Sequence, residues 1–345
     1  MTPMAQEQPT LTVIVPVYNE GKGLSELKRR LDAVLDRLGE PCEVIAVDDG
    51  SDDDTLDVLK ACRRSDARWR VLSLSRNFGH AGACTAGLEA ARGRAVVFLD
   101  ADLQDPPELI LTFVEKWREG FEVVYGRRTK RLESPARQFL TAGFYRMLGF
   151  ISETPLPVDA GIFSLIDRRV VEELKSLPER HRYLTGLRGW VGFRQAAVPY
   201  KRERREGSPP KQTQGKLFGL AADAFLSFSI LPLRLSTLVG AAVSCVAFAA
   251  SARILYLKVF TNRPIVGWTS IMLAVLLMGG MILVALGIIG EYVGRIYDEV
   301  KRRPLFIVKE ALGFEDDQGA VTRATAATLV PKGSQPKQAD SSRES

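Results

Sequence analysis

Two stretches of this chain leave few folding options. Leu235 to Ala252 runs for about 18 residues without a formal charge, and Pro264 to Gly290 is longer still. A helix of that length covers the roughly 30 Å of hydrocarbon in a bilayer, so both stretches read as membrane-spanning. Lys201, Arg202, Arg204, Arg205, Lys211, Lys216 and Arg234 precede the first stretch, and Arg295, Lys301, Arg302, Arg303 and Lys309 follow the second. The loop between them, with Lys258 and Arg263, has fewer basic residues than the flanks. The positive-inside rule then predicts a helical hairpin in a multi-pass membrane protein, with both flanks and both termini in the cytosol. The N-terminus is polar up to Gln8, with no charged-then-apolar leader, so no cleaved signal peptide is expected. Glycines 279, 280, 287, 290 and 294 suit close helix packing.

Upstream the pattern changes character. Leu11–Val17 (LTVIVPV) is a continuous β-branched apolar run, as expected of a strand buried on both faces. Leu24, Leu27, Leu31, Val34, Leu35 and Leu38 follow at helical spacing. Further strands are read at 43–47, 71–74, 95–99 and 122–125, with helices at 53–62, 79–91 and 105–119. Strict alternation of strand and helix predicts an α/β domain with a mostly parallel sheet. Ligands of such sheets bind beyond the carboxyl ends of the strands. The residues to read for chemistry are therefore Tyr18–Glu20, Asp48–Ser51, Ser75–Gly79, Asp100–Asp105 and Gly126–Arg128.

Composition removes several classes of function. The net charge of +6 is too small, and the basic residues too little interleaved with aromatics, to indicate nucleic-acid binding. Cys42, Cys62, Cys84 and Cys245 are far apart and read as isolated thiols. Two histidines, His80 and His181, exclude a histidine-rich metal site, and His80 itself reads as a polar loop residue. Trp190 and Phe193 read as core residues.

The strongest constellation is Asp100-Ala101-Asp102, directly after a buried strand. Two carboxylates one residue apart can share a hard divalent cation, Mg²⁺ or Mn²⁺, that bridges the oxygens of a diphosphate. Asp102 or Asp105 could instead cap the helix beginning near Pro106. Asp48 and Asp49 fall at a strand end, where a carboxylate can accept from a base or ribose hydroxyl, and Asp52–Thr55 reads as the cap of the next helix. The turn after the first strand, VPVYNE, is not G-x-G-x-x-G, which argues against a dinucleotide-binding dehydrogenase.

VIVPVYNE, VDDGSDDDT, SRNFGHAGA, FLDADLQDPPE, VVYGRR, DAGIFSLIDRRVVE and WVGFRQ, in this order, resemble the family 2 glycosyltransferases of GT-A fold. More narrowly they are similar to the polyprenyl-phosphate sugar transferases, the group of dolichol-phosphate mannose synthase and the bactoprenol glucosyltransferases. The resemblance covers residues 10–310. It implies that Pro16, Tyr18, Glu20 and Asp49 contact the nucleoside, and that Asp100, Ala101 and Asp102 bind the diphosphate and metal, Asp102 most directly. It implies further that Asp159 sits beside the reacting sugar, with Arg128 near the donor or acceptor phosphate and Arg202, Arg204 and Lys211 near the lipid phosphate. Two departures stand out: Thr185-Gly186-Leu187 replaces the family's R-G-L, leaving Arg188 as a substitute, and Gly207–Gln212 lacks the tyrosine of a G-x-S-K-Y-like segment.

The expected organisation is an extension at 1–9, a GT-A domain at 10–212, an interfacial amphipathic helix at 213–231, a two-helix anchor at 232–298, and a cytoplasmic segment with a disordered tail at 299–345. The expected partners are a nucleotide-diphosphate sugar, a polyprenyl phosphate and the membrane. A homo-oligomer is compatible with both the spans and the soluble domain. Hexose transfer to undecaprenyl phosphate from UDP-glucose is the favoured activity, with GDP-mannose as the alternative donor. A processive polysaccharide synthase is disfavoured because Q-x-x-R-W is missing. A non-catalytic scaffold or lipid-carrier translocation subunit is disfavoured by the intact acidic pair.

Overall fold

The computed structural model describes residues 8–128, 160–180, 182–201 and 267–314, with scattered positions between 240 and 260. They fall into two units, one holding the sheet together with residues 302–314, the other holding the long helix that ends at Lys301.

The sheet unit begins as the apolar runs dictate. Strand β1 (Leu11–Val17) is buried along its whole length. Helix α1 (Gly21–Leu38) presents Leu24, Leu27, Leu31, Val34 and Leu35 to the core, each burial stabilising by roughly 1.5–3 kcal/mol. It stops at Gly39, whose left-handed φ of 66° turns its N–H back to the Leu35 carbonyl. There follow β2 (Cys42–Asp48), α2 (Thr55–Ser65), β3 (Trp69–Leu74), α3 (His80–Ala90), β4 (Ala95–Phe98), α4 (Leu109–Arg118) and β5 (Val123–Arg128). Past the gap come β6 (Ala160–Asp167), α5 (Arg168–Ser176), α6 (Leu184–Trp190), β7 (Gln195–Tyr200), α7 (Trp268–Lys301) and β8 (Val308–Leu312).

The strands form one sheet in the order β7-β5-β6-β4-β1-β2-β3-β8. It is mostly parallel: β4, β1, β2 and β3 run together, as do β5 and β7, while β6 and β8 run against their neighbours. Leu24 of α1, Leu59 of α2 and Phe113 of α4 join Val13, Val44 and Val97 in the core on one face. Strand β8 was not expected in the sequence. Its five residues are half-exposed and carry two charges, so they show no apolar run, yet they cover the edge of β3. A backbone bond from Ser75 N to Ile307 O and a side-chain bond from Arg70 Nε to Gly313 O fasten this return segment.

At the end of the sheet opposite the strands' carboxyl termini lies a buried polar knot. Glu43 Oε1 accepts from the Thr12 hydroxyl (2.7 Å) and Arg92 N (2.8 Å), and Oε2 accepts from Arg70 Nη1 (2.8 Å) and Arg92 Nη2 (3.0 Å). Burial alone would push the Glu43 carboxyl up; these partners outweigh it and hold it below the usual carboxylate range.

The second unit's helix α7 has 34 residues, about 50 Å at 1.5 Å per residue. It starts at Trp268 rather than 264 and continues past Gly290 to Lys301. Its apolar side chains are open, with Leu283 70% exposed. Among the described residues this is the one helix long and apolar enough to cross a membrane, over Met278–Lys301. Charged residues enter only near its end, where Arg295 pairs with Glu291 one turn back. The first expected span, 235–252, lies largely outside the described residues, and the interfacial helix at 213–231 and the tail beyond 314 lie wholly outside them.

Candidate active site

Strand direction decides where the chemistry gathers. β1, β2, β3, β4, β5 and β7 all end at one edge of the sheet, and β6 begins there. Tyr18–Glu20, Asp48–Ser51, Asp100–Asp102, Arg128 and Tyr200 therefore share that end. Pro16 fits β1 because its nitrogen faces β4 beyond Phe98, the last paired residue of β4, so no ladder bond is lost.

The first two loops are knitted to each other. Asn19, at a left-handed φ of 52°, receives a bond on its side-chain oxygen from Asp52 N (3.0 Å), and its own N–H donates to Ser51 Oγ (3.0 Å). Glu20 N donates to Thr55 Oγ1 (3.1 Å). Tyr18, 39% exposed, stands at the rim. Asp49 is buried, its two oxygens accepting from Phe78 N (2.7 Å) and Gly79 N (2.9 Å). Burial pushes its carboxyl up against those two bonds. Asp49 thus couples the loop after β2 to the loop after β3. Gly50 makes the approach possible: its φ is +69°, and a Cβ there would lie 2.6 Å from the Arg76 carbonyl carbon.

After β4 the chain turns sharply. Asp102 Oδ1 accepts from Gln104 N (3.1 Å), and Leu103 holds a left-handed φ of 57°. Such a conformation costs a bulky residue roughly 1–3 kcal/mol and tends to cluster at functional turns. Asp100 is met by His80: Nε2 lies 2.9 Å from Oδ1. His80 is not a free loop residue; it opens α3, with its Nδ1 3.7 Å from the Cys84 sulfur. The Cys84 sulfur and the Asp100 carboxylate both favour the imidazolium. Since burial pushes the Cys84 thiol up as well, Asp100 carries the effect at neutral pH.

Neither Asp102 nor Asp105 caps α4. Its N-cap position is Glu108, which makes no side-chain cap bond. Asp105 is instead buried and accepts the Tyr200 hydroxyl, which in turn lies 3.4 Å from Arg128 Nε. Burial, reinforced by Asp105, pushes the Tyr200 phenol up to about 12. An irregularity in β5 between Tyr125 and Arg127 re-aims Arg128 over Gly161, where a Cβ would come within 2.9 Å of its Nη2. Asp53 Oδ1 accepts from Thr55 N at the start of α2, while Asp54, at the N-cap position itself, makes no side-chain cap bond. Trp190, the last residue of α6, is 56% exposed and Phe193, just beyond it, is half-buried, so neither is a fully buried core residue.

The structure thus gathers Pro16, Tyr18, Glu20, Asp49, Asp100, Ala101, Asp102 and Arg128 at one end. Asp159, Arg202, Arg204 and Lys211 lie outside the described residues. The sequence reading missed His80 on Asp100 and the Arg128–Tyr200–Asp105 chain. Both join residues at least 20 positions apart, which no local pattern reports.

The family model for glycosyl transferase family 2 matches residues 12–175. An uncharacterized glycosyltransferase of Bacillus subtilis is 44% identical over 88% of this chain and 95% of its own. One from Synechocystis is 43% identical over 88% and 96%. A prophage-derived bactoprenol glucosyl transferase of Shigella flexneri is 35% identical over 87% of this chain and 98% of its own. With that family's motifs at the carboxyl end of a mostly parallel α/β sheet, the chain belongs to the family 2 glycosyltransferases.

Proposed function

We propose that the protein transfers a hexose, glucose from UDP-glucose, to polyprenyl (undecaprenyl) phosphate with inversion, giving a lipid-linked sugar for cell-envelope glycosylation. The observation that carries this reading is the convergence of the Asp100/Asp102 turn with the loops after β1 and β2 at one sheet end. The bactoprenol glucosyl transferase relatives and the apolar helix α7 support the sugar and the lipid acceptor.

Asp100 and Asp102 suit Mg²⁺ or Mn²⁺, since such an ion takes one or two carboxylates and completes its shell with substrate phosphates and water. Among the described residues no group of three or more His, Cys, Asp or Glu side chains gathers into a closed site, in keeping with an ion completed by substrate. Bound there, the ion supplies charge stabilisation to the leaving diphosphate.

The chain's own residues do the positioning. Pro16, Tyr18, Glu20 and the Asp49 loop frame the nucleoside. The acceptor phosphate, with a second pKa of about 6, is largely dianionic near neutral pH and needs no base. One of its oxygens bonds to the anomeric carbon as the bond from that carbon to the diphosphate breaks, and the electron pair leaves with the nucleotide. Arg128, Arg202, Arg204 and Lys211 screen the repulsion between the two anions. Asp159 orients the sugar, so Asp159→Asn is expected to lower turnover while donor affinity holds; full turnover would remove that role.

The deciding experiment incubates membranes carrying the protein with radiolabelled UDP-glucose, other UDP-sugars or GDP-mannose, undecaprenyl phosphate, and Mg²⁺ or Mn²⁺. The expected result is label in the organic phase from UDP-glucose, dependent on the lipid. Label from GDP-mannose alone would replace the donor, and no label from any donor would favour a scaffold.

A further inference from the structure

Among the described residues, three that are not glycine hold a left-handed φ: Asn19 at 52°, Leu103 at 57° and Arg302 at 46°. Two of them are ordinary. Asparagine tolerates that region better than most residues, and Arg302 directly follows the last residue of α7, where helices commonly end left-handed. Leu103 is neither. Its Cβ is brought too close to the following carbonyl oxygen, a strain that glycine would not feel.

What leucine provides here and glycine could not is an anchor. The Leu103 side chain packs against the hydrophobic core that also holds Ala101, itself 5% exposed. Both neighbours of Asp102 are thus fastened from below. Asp105 adds a third fixed point, buried and accepting the Tyr200 hydroxyl. Between these points the backbone of Asp102 has little room to swing, and its Oδ1 is tied to Gln104 N (3.1 Å). Asp100 is oriented by other means, through His80 Nε2 at 2.9 Å. Each carboxylate of the pair therefore has its own support, and for Asp102 that support is the turn pinned by Leu103.

We propose that Leu103 is a positioning residue of the divalent-cation site: its anchored side chain holds the turn in a strained conformation that aims Asp102 at the same ion as Asp100. This rests on the reading of Asp100 and Asp102 as the carboxylates that meet the ion.

The test compares the full-length protein in detergent micelles with Leu103→Ala, Leu103→Gly and Leu103→Met. Two quantities are read: Tm without metal, and UDP affinity with and without Mn²⁺ by isothermal titration calorimetry. Alanine and glycine both lose the anchor and differ only in Cβ. At an ordinary position alanine is the more stable, and at a left-handed one the order reverses. Leu103→Gly is therefore expected to melt roughly 2–4 °C above Leu103→Ala.

Mn²⁺ should tighten UDP binding by the parent. In both truncated variants that tightening is expected to shrink about tenfold while metal-free UDP affinity holds. Leu103→Met, which refills nearly the same space, should keep it. A residue of general structural importance would instead weaken UDP binding equally with and without the ion. That result would overturn the proposal, as would undiminished tightening in either truncated variant, or alanine melting above glycine. Asp102→Ala checks the reading underneath and should abolish the tightening. If it does not, Asp102 meets no ion and that reading fails, whereas the order of the two melting temperatures, a property of the backbone alone, still stands.

Discussion

His80→Ala tests the contact that sequence reading overlooked. The imidazole Nε2 is 2.9 Å from Asp100 Oδ1, so it fixes the rotamer of one of the two carboxylates proposed to hold a divalent cation. Groups that orient metal-binding carboxylates in this way typically account for 10–100-fold in metal affinity or activity. Here the lower end applies, because the His80 side chain is 51% exposed and that of Asp100 25%, and solvent weakens an open contact. The expected loss is about tenfold, or ~1.4 kcal/mol.

Initial rates of sugar transfer to undecaprenyl phosphate, measured against Mn²⁺ concentration, separate this role from a general loss of fold. His80→Ala should raise the half-saturating Mn²⁺ concentration about tenfold while the rate at saturating metal recovers most of its value. His80→Gln, whose amide nitrogen can reach the same oxygen, should restore part of the affinity. In an Asp100→Ala background, adding His80→Ala should cost nothing further, because the contact no longer exists. An unchanged metal requirement in His80→Ala, or a full additional drop in the double variant, would refute the reasoning.

Glu43→Gln removes the charge shared by Arg70 and Arg92 and turns an amide donor toward them, so a loss of about 3–5 kcal/mol is expected in denaturant unfolding at pH 7. Because the folded Glu43 carboxyl titrates below its unfolded value of about 4.3, its contribution is complete above that value and is lost as pH falls through the folded one. The variant's stability should accordingly fall less steeply than the parent's in that acid range. Tyr200→Phe deprives buried Asp105 of a donor and releases Arg128; a loss of about 1–3 kcal/mol is expected, with a raised KM for the lipid phosphate and a smaller change in kcat. A Tyr200→Phe enzyme with unchanged acceptor KM would detach Arg128 from phosphate binding.

The first five strands and four helices were legible because each is a dense local signal. LTVIVPV needs no partner to read as a buried strand, and α1 announces its face through Leu24, Leu27 and Leu31. Boundaries slipped where capping gave way to tertiary demands. Asp105 looks like a helix cap in the sequence, but its side chain is drawn to Tyr200, 95 residues away, and α4 starts later at Leu109. Strand β8 failed for the opposite reason. Its sequence, VKEAL, has little pattern of its own and becomes a strand because β3 offers an unpaired edge.

The same contrast separates the parts of the site. Tyr18, Asp49, Asp100 and Asp102 are visible in the sequence because topology forces every residue after a parallel strand to one end, whatever its neighbours. What those residues touch is a different question, answered by loops that meet only after the sheet has closed. Asp49 illustrates it. A carboxylate at a strand end reads as a nucleoside ligand, yet both its oxygens hold the backbone of Phe78 and Gly79, the loop that leads into His80. A nucleoside reaching Asp49 would then be in contact, through two hydrogen bonds and one helix start, with the residue that orients Asp100. The proposed base-recognition and diphosphate sites are joined by a single short stretch, 78–80, and substitutions there should disturb both together.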